Sequence, residues 1–291
     1  MNKRTKHSYY NPEAILAFIF VLVCWILAQM SYSLVHQLGD VSTGANNQTL
    51  FLAVFRDIAL NHALSEQLFN GFIIYLLIVS IYHTVLQANQ RIKLQLYLKS
   101  RLDEESTAFW NYRYKNDGVQ IVVVKESAFV AMSYGMWMPK IVISTGVLSR
   151  FDKEEVEAIL LHELYHCKAF HPLQMSLLML VSKGLAFVPL IKDMVHYYSI
   201  WTELRADRYA VKRMNSELPI GRVLLSLIKS NATFSGRAGV HFANEAVNYR
   251  IRQIIDPSRD LYITLTNRKT IVTSVIVLFV MSLFLIGNCL R

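Results

Sequence analysis

The sequence predicts an α+β integral membrane protein, with about three transmembrane helices and a mainly helical domain that carries a small β-sheet. Three observations predict it. Apolar residues make up 53% of the chain and its mean hydropathy is +0.30, while 18% of its residues are charged. That balance fits several membrane segments plus one domain that meets water. Runs long enough to cross a bilayer recur, with basic residues beside them. Between the second and third runs lie short strand-like segments and a well-started helix.

Residues 1–12 form a short basic tail with Lys3, Arg4 and Lys6. The stretch 13–35 is almost wholly apolar and long enough to span. It is longer than the apolar core of a signal peptide and no small-residue cleavage site follows, which predicts an uncleaved helix. The loop 36–67 sets Arg56 against Asp40, Asp57 and Glu66. A second spanning run covers 68–88, and Arg91, Lys93, Lys99 and Arg101 come directly after it. Arg268 and Lys269 open a third, 269–289. By the positive-inside rule the N-terminus is cytoplasmic, loop 36–67 is external, and residues 89–268 form a cytoplasmic domain. The third run then leaves the cytoplasm, with no external domain expected beyond it. The protein is thus expected as a multi-pass protein of the cell membrane. Its net charge of +9 reads as membrane orientation, so no direct binding of nucleic acid is expected. Three cysteines cannot make a paired disulfide framework. Cys24 and Cys289 lie in apolar runs. Cys167 points about 100° away from His166 on a helix and reads as a small packing residue.

Within the domain, residues 89–105 read as a basic amphipathic helix at the membrane surface. Val119–Val124, Ala128–Ser133 and Lys140–Ser144 read as strands, punctuated by Gly135 and Pro139. Asp152 is a plausible N-cap and Glu155 sits three residues on, as in a capping box. Val156, Ile159 and Leu160 then line one apolar face.

That helix carries His162-Glu163-Leu164-Tyr165-His166. Residues four apart share a helix face, so His162 and His166 can hold one zinc ion between them. Glu163 then lies beside the open position, where a carboxylate can take a proton from water and pass it to a leaving amine. A third ligand is needed, and Glu203 in Trp201-Thr202-Glu203-Leu204-Arg205-Ala206-Asp207 supplies a candidate. Asp207, one turn on, could fix the outer nitrogen of a ligand histidine. The competing account of this second pair is a solvated helix face salted with Arg205 and Arg208.

The apolar segment 173–195 could be scored as a fourth span. A single crossing would set Glu203 about 30 Å from the histidines, against a zinc–carboxylate bond of about 2 Å. Lys183-Gly184 and Pro189 interrupt the run, and Lys192 and Asp193 close it. Two shorter helices that dip into the membrane, or pack in the core, and return are expected. Further on, Ile220–Lys229 reads as a helix and Asn231–Val240 as a loop. Arg250 could meet a substrate carbonyl or a carboxylate in the site, or sit at the surface near headgroups. His171, His196 and His241 are spare imidazoles. Any one could steady an oxyanion, though a lone histidine is more often structural.

The run Pro139–Leu148, the helix through His162-Glu163-Leu164-Tyr165-His166, and His171-Pro172-Leu173 together resemble the BlaR/MecR-type membrane zinc metallopeptidases. Glu203-Leu204-Arg205-Ala206-Asp207 is also similar to a motif of the related HtpX and CAAX prenyl protease group, and Arg250-Ile251 to a late Arg-Ile signature of both. The resemblance covers roughly residues 120–256. It implies a zincin-type metalloprotease domain of the gluzincin kind. Zn2+ would sit on His162, His166 and Glu203, with Glu163 as the base and Asp207 behind a ligand. Arg250 and His241 remain as contacts for substrate or oxyanion. The family commonly has Asp where His171 stands, and its external penicillin-binding sensor has no counterpart here. The implied partners are the lipid bilayer and a protein or peptide substrate, either a cytosolic transcriptional repressor or the chain itself. The HtpX-like alternative implies quality-control cleavage of membrane proteins, but that group usually has two full spans between the two helices, and 173–195 is too short for two. A zinc-bound signal transducer without catalysis would not need Glu163. A transporter would need more spans, and polar groups facing one another within them.

Overall fold

The computed structural model describes residues 11–39, 62–231, 240–256 and 261–289. The basic tail up to residue 10, most of the expected external loop (40–61) and most of the expected 231–240 loop lie outside the described residues. The described chain is mostly helical, with one three-stranded sheet. It divides into two compact units. One comprises residues 1–86, 179–196 and 264–291, and the other residues 87–178 and 197–263.

The first unit holds the apolar helices. Helix α1 spans Pro12–Gly39 and α2 spans His62–Ser100. Two stretches are long and apolar enough to cross a membrane, Pro12–Ser31 and Gly71–Ser100. The third expected run forms a helix, Arg268–Cys289, but its side chains beyond Ser282 lie outside the described residues. Helix α1 buries Ile15, Ile19, Leu22 and Ile26, one stripe at helical spacing, and exposes Phe18, Phe20, Trp25 and Leu27. Outward apolar side chains of this kind suit a lipid solvent. A buried polar contact ties α1 to the last helix, where Gln29 Nε2 donates to Ser282 Oγ at 2.9 Å.

Helix α2 carries the expected second span and the expected basic amphipathic helix in one piece, ending at Ser100 rather than at 105. It runs unbroken, because no Gly or Pro interrupts it between Gly71 and Ser100. It ends where Leu102 bridges to Val124 and Asp103 caps α3, Glu104–Arg113.

In the second unit, β1 (Gln120–Val124), β2 (Ala131–Tyr134) and β3 (Lys140–Ser144) form a sheet of order β1-β3-β2. The pair β1–β3 is parallel and β2–β3 antiparallel. Both faces are covered, because alternate residues point opposite ways. Ile121, Val123, Ile141 and Ile143 join the main core. Val122, Val124 and Val142 pack with Leu94, Tyr97 and Leu98 from the end of α2. Against the main core lie α4 (Thr145–Arg150) and α5 (Lys153–Lys168). The expected capping box starts α5: the Glu155 amide donates to Asp152 Oδ1 at 2.8 Å, and the Asp152 amide to Glu155 Oε2 at 3.0 Å. After α5, Phe170 adopts φ +53, and α6 (His171–Gly184) begins at once.

Helix α6 has 14 residues, about 21 Å at 1.5 Å each, short of the roughly 30 Å of a hydrocarbon core. Four residues later α7, Pro189–Met214, begins. The Tyr198 hydroxyl on α7 donates to Gln174 Oε1 on α6 at 2.5 Å, so the chain goes out along one helix and comes back along the other. Helices α8 (Leu218–Asn231) and α9 (Val240–Ile255) complete this unit, and α10 is Arg268–Cys289 in the first.

Candidate metal centre

Four helices of the second unit converge on one point. The middle of α5 presents His162, Glu163 and His166, all buried although polar. Such groups need partners. The Nε2 atoms of His162 and His166 stand 3.1 Å apart. From α7, Glu203 brings Oε2 to 3.3 Å from His162 Nε2 and Oε1 to 3.5 Å from His166 Nε2. The ligating atoms of the three residues all lie within 4.8 Å of one another.

The outer ring nitrogens are held as firmly. His162 Nδ1 lies 2.8 Å from Asp207 Oδ1, and Asp207 is wholly buried. A carboxylate there accepts, so His162 carries its proton on Nδ1 and turns the Nε2 lone pair inward. His166 Nδ1 lies 2.7 Å from His171 Nδ1 at the start of α6. Burial pushes His171 down to about 4. Near neutrality it is uncharged, and its Nδ1 can accept from His166. Two inward lone pairs 3.1 Å apart cannot hydrogen-bond each other. They need a proton or a cation between them.

The donor set fits a tetrahedral divalent ion. Bonds of about 2.0–2.1 Å at tetrahedral angles put neighbouring donors about 3.3 Å apart, close to the 3.1 Å between the two imidazoles and to the 3.3 and 3.5 Å from them to the two Glu203 oxygens. Two imidazoles and one carboxylate are the kind of donor set that zinc sites with an open position use.

Arg250 on α9 closes the outer layer. Its Nε and Nη2 donate to the two oxygens of Asp207, each at 2.7 Å, and Nη1 lies 3.2 Å from Glu203 Oε2. Of the roles weighed for Arg250, the structure places it on carboxylates of the site. His241 lies on α9, but its side chain is outside the described residues. His171, one of the spare imidazoles and the position where the family commonly has Asp, thus pairs with His166.

Electrostatics follow the same layout. Burial and the Arg250 cation both oppose a proton on His162, yet Asp207 and Glu203 outweigh them and lift its pKa to about 9. Burial, with charge on His162, pushes His166 down to about 3. Burial works against ionised Glu203, but the His162 hydrogen bond and Arg250 hold its carboxyl well below the usual range. Asp207 is also lowered, burial notwithstanding, chiefly by Arg250. Glu163 goes the other way. Burial raises it to about 7, although nearby His162 and a backbone hydrogen bond from Ser133 favour its charged form. Two carboxylates in one pocket are thus driven apart in acidity, as in sites that need one fixed anion and one proton carrier.

Ser133 belongs to β2, an edge strand, while β3 is central. The family model described as BlaR1 peptidase M56 matches residues 18–254 of the 291-residue chain. Among curated proteins, none matches.

Proposed function

Because the chain belongs to the BlaR1 peptidase M56 family, a membrane-associated metallopeptidase family, we propose that it is a membrane-embedded zinc-dependent endopeptidase. It hydrolyses a peptide bond of a cytosolic or membrane protein in regulated signalling, with a repressor or the chain itself as substrate and the site on the cytoplasmic side. The observation that carries the reading is the convergence of His162, His166 and Glu203 with Glu163 beside them.

A zinc ion held by those three residues would supply Lewis acidity, polarising the scissile carbonyl and acidifying water. The chain's own residues do the rest. Glu163 takes the proton of the attacking water on its carboxylate and gives it to the departing amine nitrogen. A carboxylate beside the reacting water can make both transfers. Asp207 and His171 hold the outer nitrogens of the two histidines, so the inner nitrogens keep their aim. Arg250 balances the charge of Asp207 and Glu203. The free edge of β2 lines up an extended substrate backbone by strand addition, and Ser133 ties that edge to Glu163.

The test is bound zinc and peptide products for purified wild type, Glu163→Gln and Glu203→Ala. Glu163→Gln is expected to keep zinc and lose about 100-fold or more in rate. Glu203→Ala is expected to lose the metal. Equal zinc in all three, or full activity without Glu163, sinks the proposal.

A further inference from the structure

The connection from β2 to β3 carries two of the most exposed large apolar side chains among the described residues. Trp137 is 79% and Met138 80% exposed. The connection itself is tightly built. Gly135 has φ +107, and a Cβ there would stand 2.6 Å from the Met138 carbonyl oxygen. That turn closes only on glycine, and it holds the next residues outward. Trp137 and Met138 are therefore presented by a fixed loop, and water is a poor solvent for both.

The direction of the loop names its occupant. The sheet lies along the end of α2. At one end of this contact the Lys125 amide, just after β1, donates to the Arg101 carbonyl. At the other end, the Tyr134 hydroxyl at the end of β2 donates to the Arg91 carbonyl, and the Arg91 guanidinium reaches Met136 in the loop. Ten residues of helix, about 15 Å, separate the two ends. The loop therefore sits at the Arg91 end, the end nearer the apolar run that stops at Leu86. Arg91 and Lys93 are the first basic residues after that run, which is where a spanning helix meets the headgroups. Trp, with an amphipathic ring, prefers that same layer.

We propose that the 135–139 loop is a bilayer anchor: Trp137 and Met138 enter the headgroup–acyl boundary beside α2 and moor the sheet at the membrane surface. Lipid is the occupant because the loop is continuous, through Arg91, with a helix long and apolar enough to cross a membrane. The inference does not depend on peptide hydrolysis, and its test reads no activity.

Full-length wild type and Trp137→Phe are reconstituted in vesicles of phosphatidylcholine and phosphatidylglycerol, with or without bromine near the headgroup end of the acyl chains. The difference between their emissions is the signal of Trp137. It is expected to fall about twofold or more with brominated lipid and to resist acrylamide added in water. A Trp137→Phe/Met138→Trp variant is expected to restore a signal quenched by the same lipid. A difference signal open to acrylamide and blind to bromine overturns the anchor. So does a signal shielded from acrylamide only when an unfolded protein such as casein is added, which would make the loop a substrate contact.

Discussion

Asp207 carries more of the site than its distance from the open position implies. It is wholly buried, accepts from Arg250 twice and orients His162. Asp207→Asn is expected to weaken zinc binding about 10–100-fold, read by competition with a fluorescent chelator. Arg250→Met strands that carboxylate without its cation, with an expected loss of about 3–5 kcal/mol in melts of metal-free protein. Glu163 predicts a pH dependence. Its folded pKa of about 7 lies above the ordinary 4.5, so its proton is bound more tightly in the native state. In metal-free protein, what it contributes is fully present below pH 4.5 and is lost as pH rises through 7. Glu163→Gln escapes that loss and should melt higher than wild type above pH 7, by up to about 3 kcal/mol, with the gap closing below pH 4.5. A gap that widens on acidification contradicts the assignment. His171→Ala should cost about tenfold in zinc affinity, and His171→Asp, able to accept the same hydrogen bond, should recover most of it. His162, Glu163 and His166 were legible because four-residue spacing is local. Which partners Arg250 and His171 take was left open, because each pairing joins separate helices.

At the scale of elements, the site depends on how α5 is started and how the strands hand over to it. Asp152→Ala removes a side chain that caps Glu155 and is expected to cost about 1 kcal/mol. Gly146 is a sharper case. A Cβ there would meet the Ser127 carbonyl oxygen at 2.2 Å, while the Gly146 amide donates to Glu126 at 2.8 Å. Backbone meets backbone, so neither side can yield. Gly146→Ala is expected to destabilise by about 1–3 kcal/mol or more, seen as a lower melting temperature with zinc present. The capping box and the three strands stand in the sequence, because caps and alternation are short-range signals. The end of α2 was harder to place, since a change from apolar to basic composition marks a change of surroundings and not the end of a helix.

For the whole molecule, the basic residues after the second apolar run predict sidedness. In intact cells a Lys99→Cys variant should resist a membrane-impermeant maleimide, over the background of the native cysteines, and should react after permeabilisation. Labelling in intact cells inverts the expected topology. By itself the sequence determined the apolar runs, the helix bearing His162 and His166, and the need for a later carboxylate, because periodicity and charge asymmetry are written in neighbouring residues. Tertiary structure alone decided that α6 and α7 turn back to set Glu203 at 3.3 and 3.5 Å from the two histidines. It also decided that β2 is an edge strand and β3 the central one, and that Arg250 and His171 hold groups of the site. Those contacts form only when packing brings together residues five to 88 positions apart, and no local pattern records which buried polar group will find which partner.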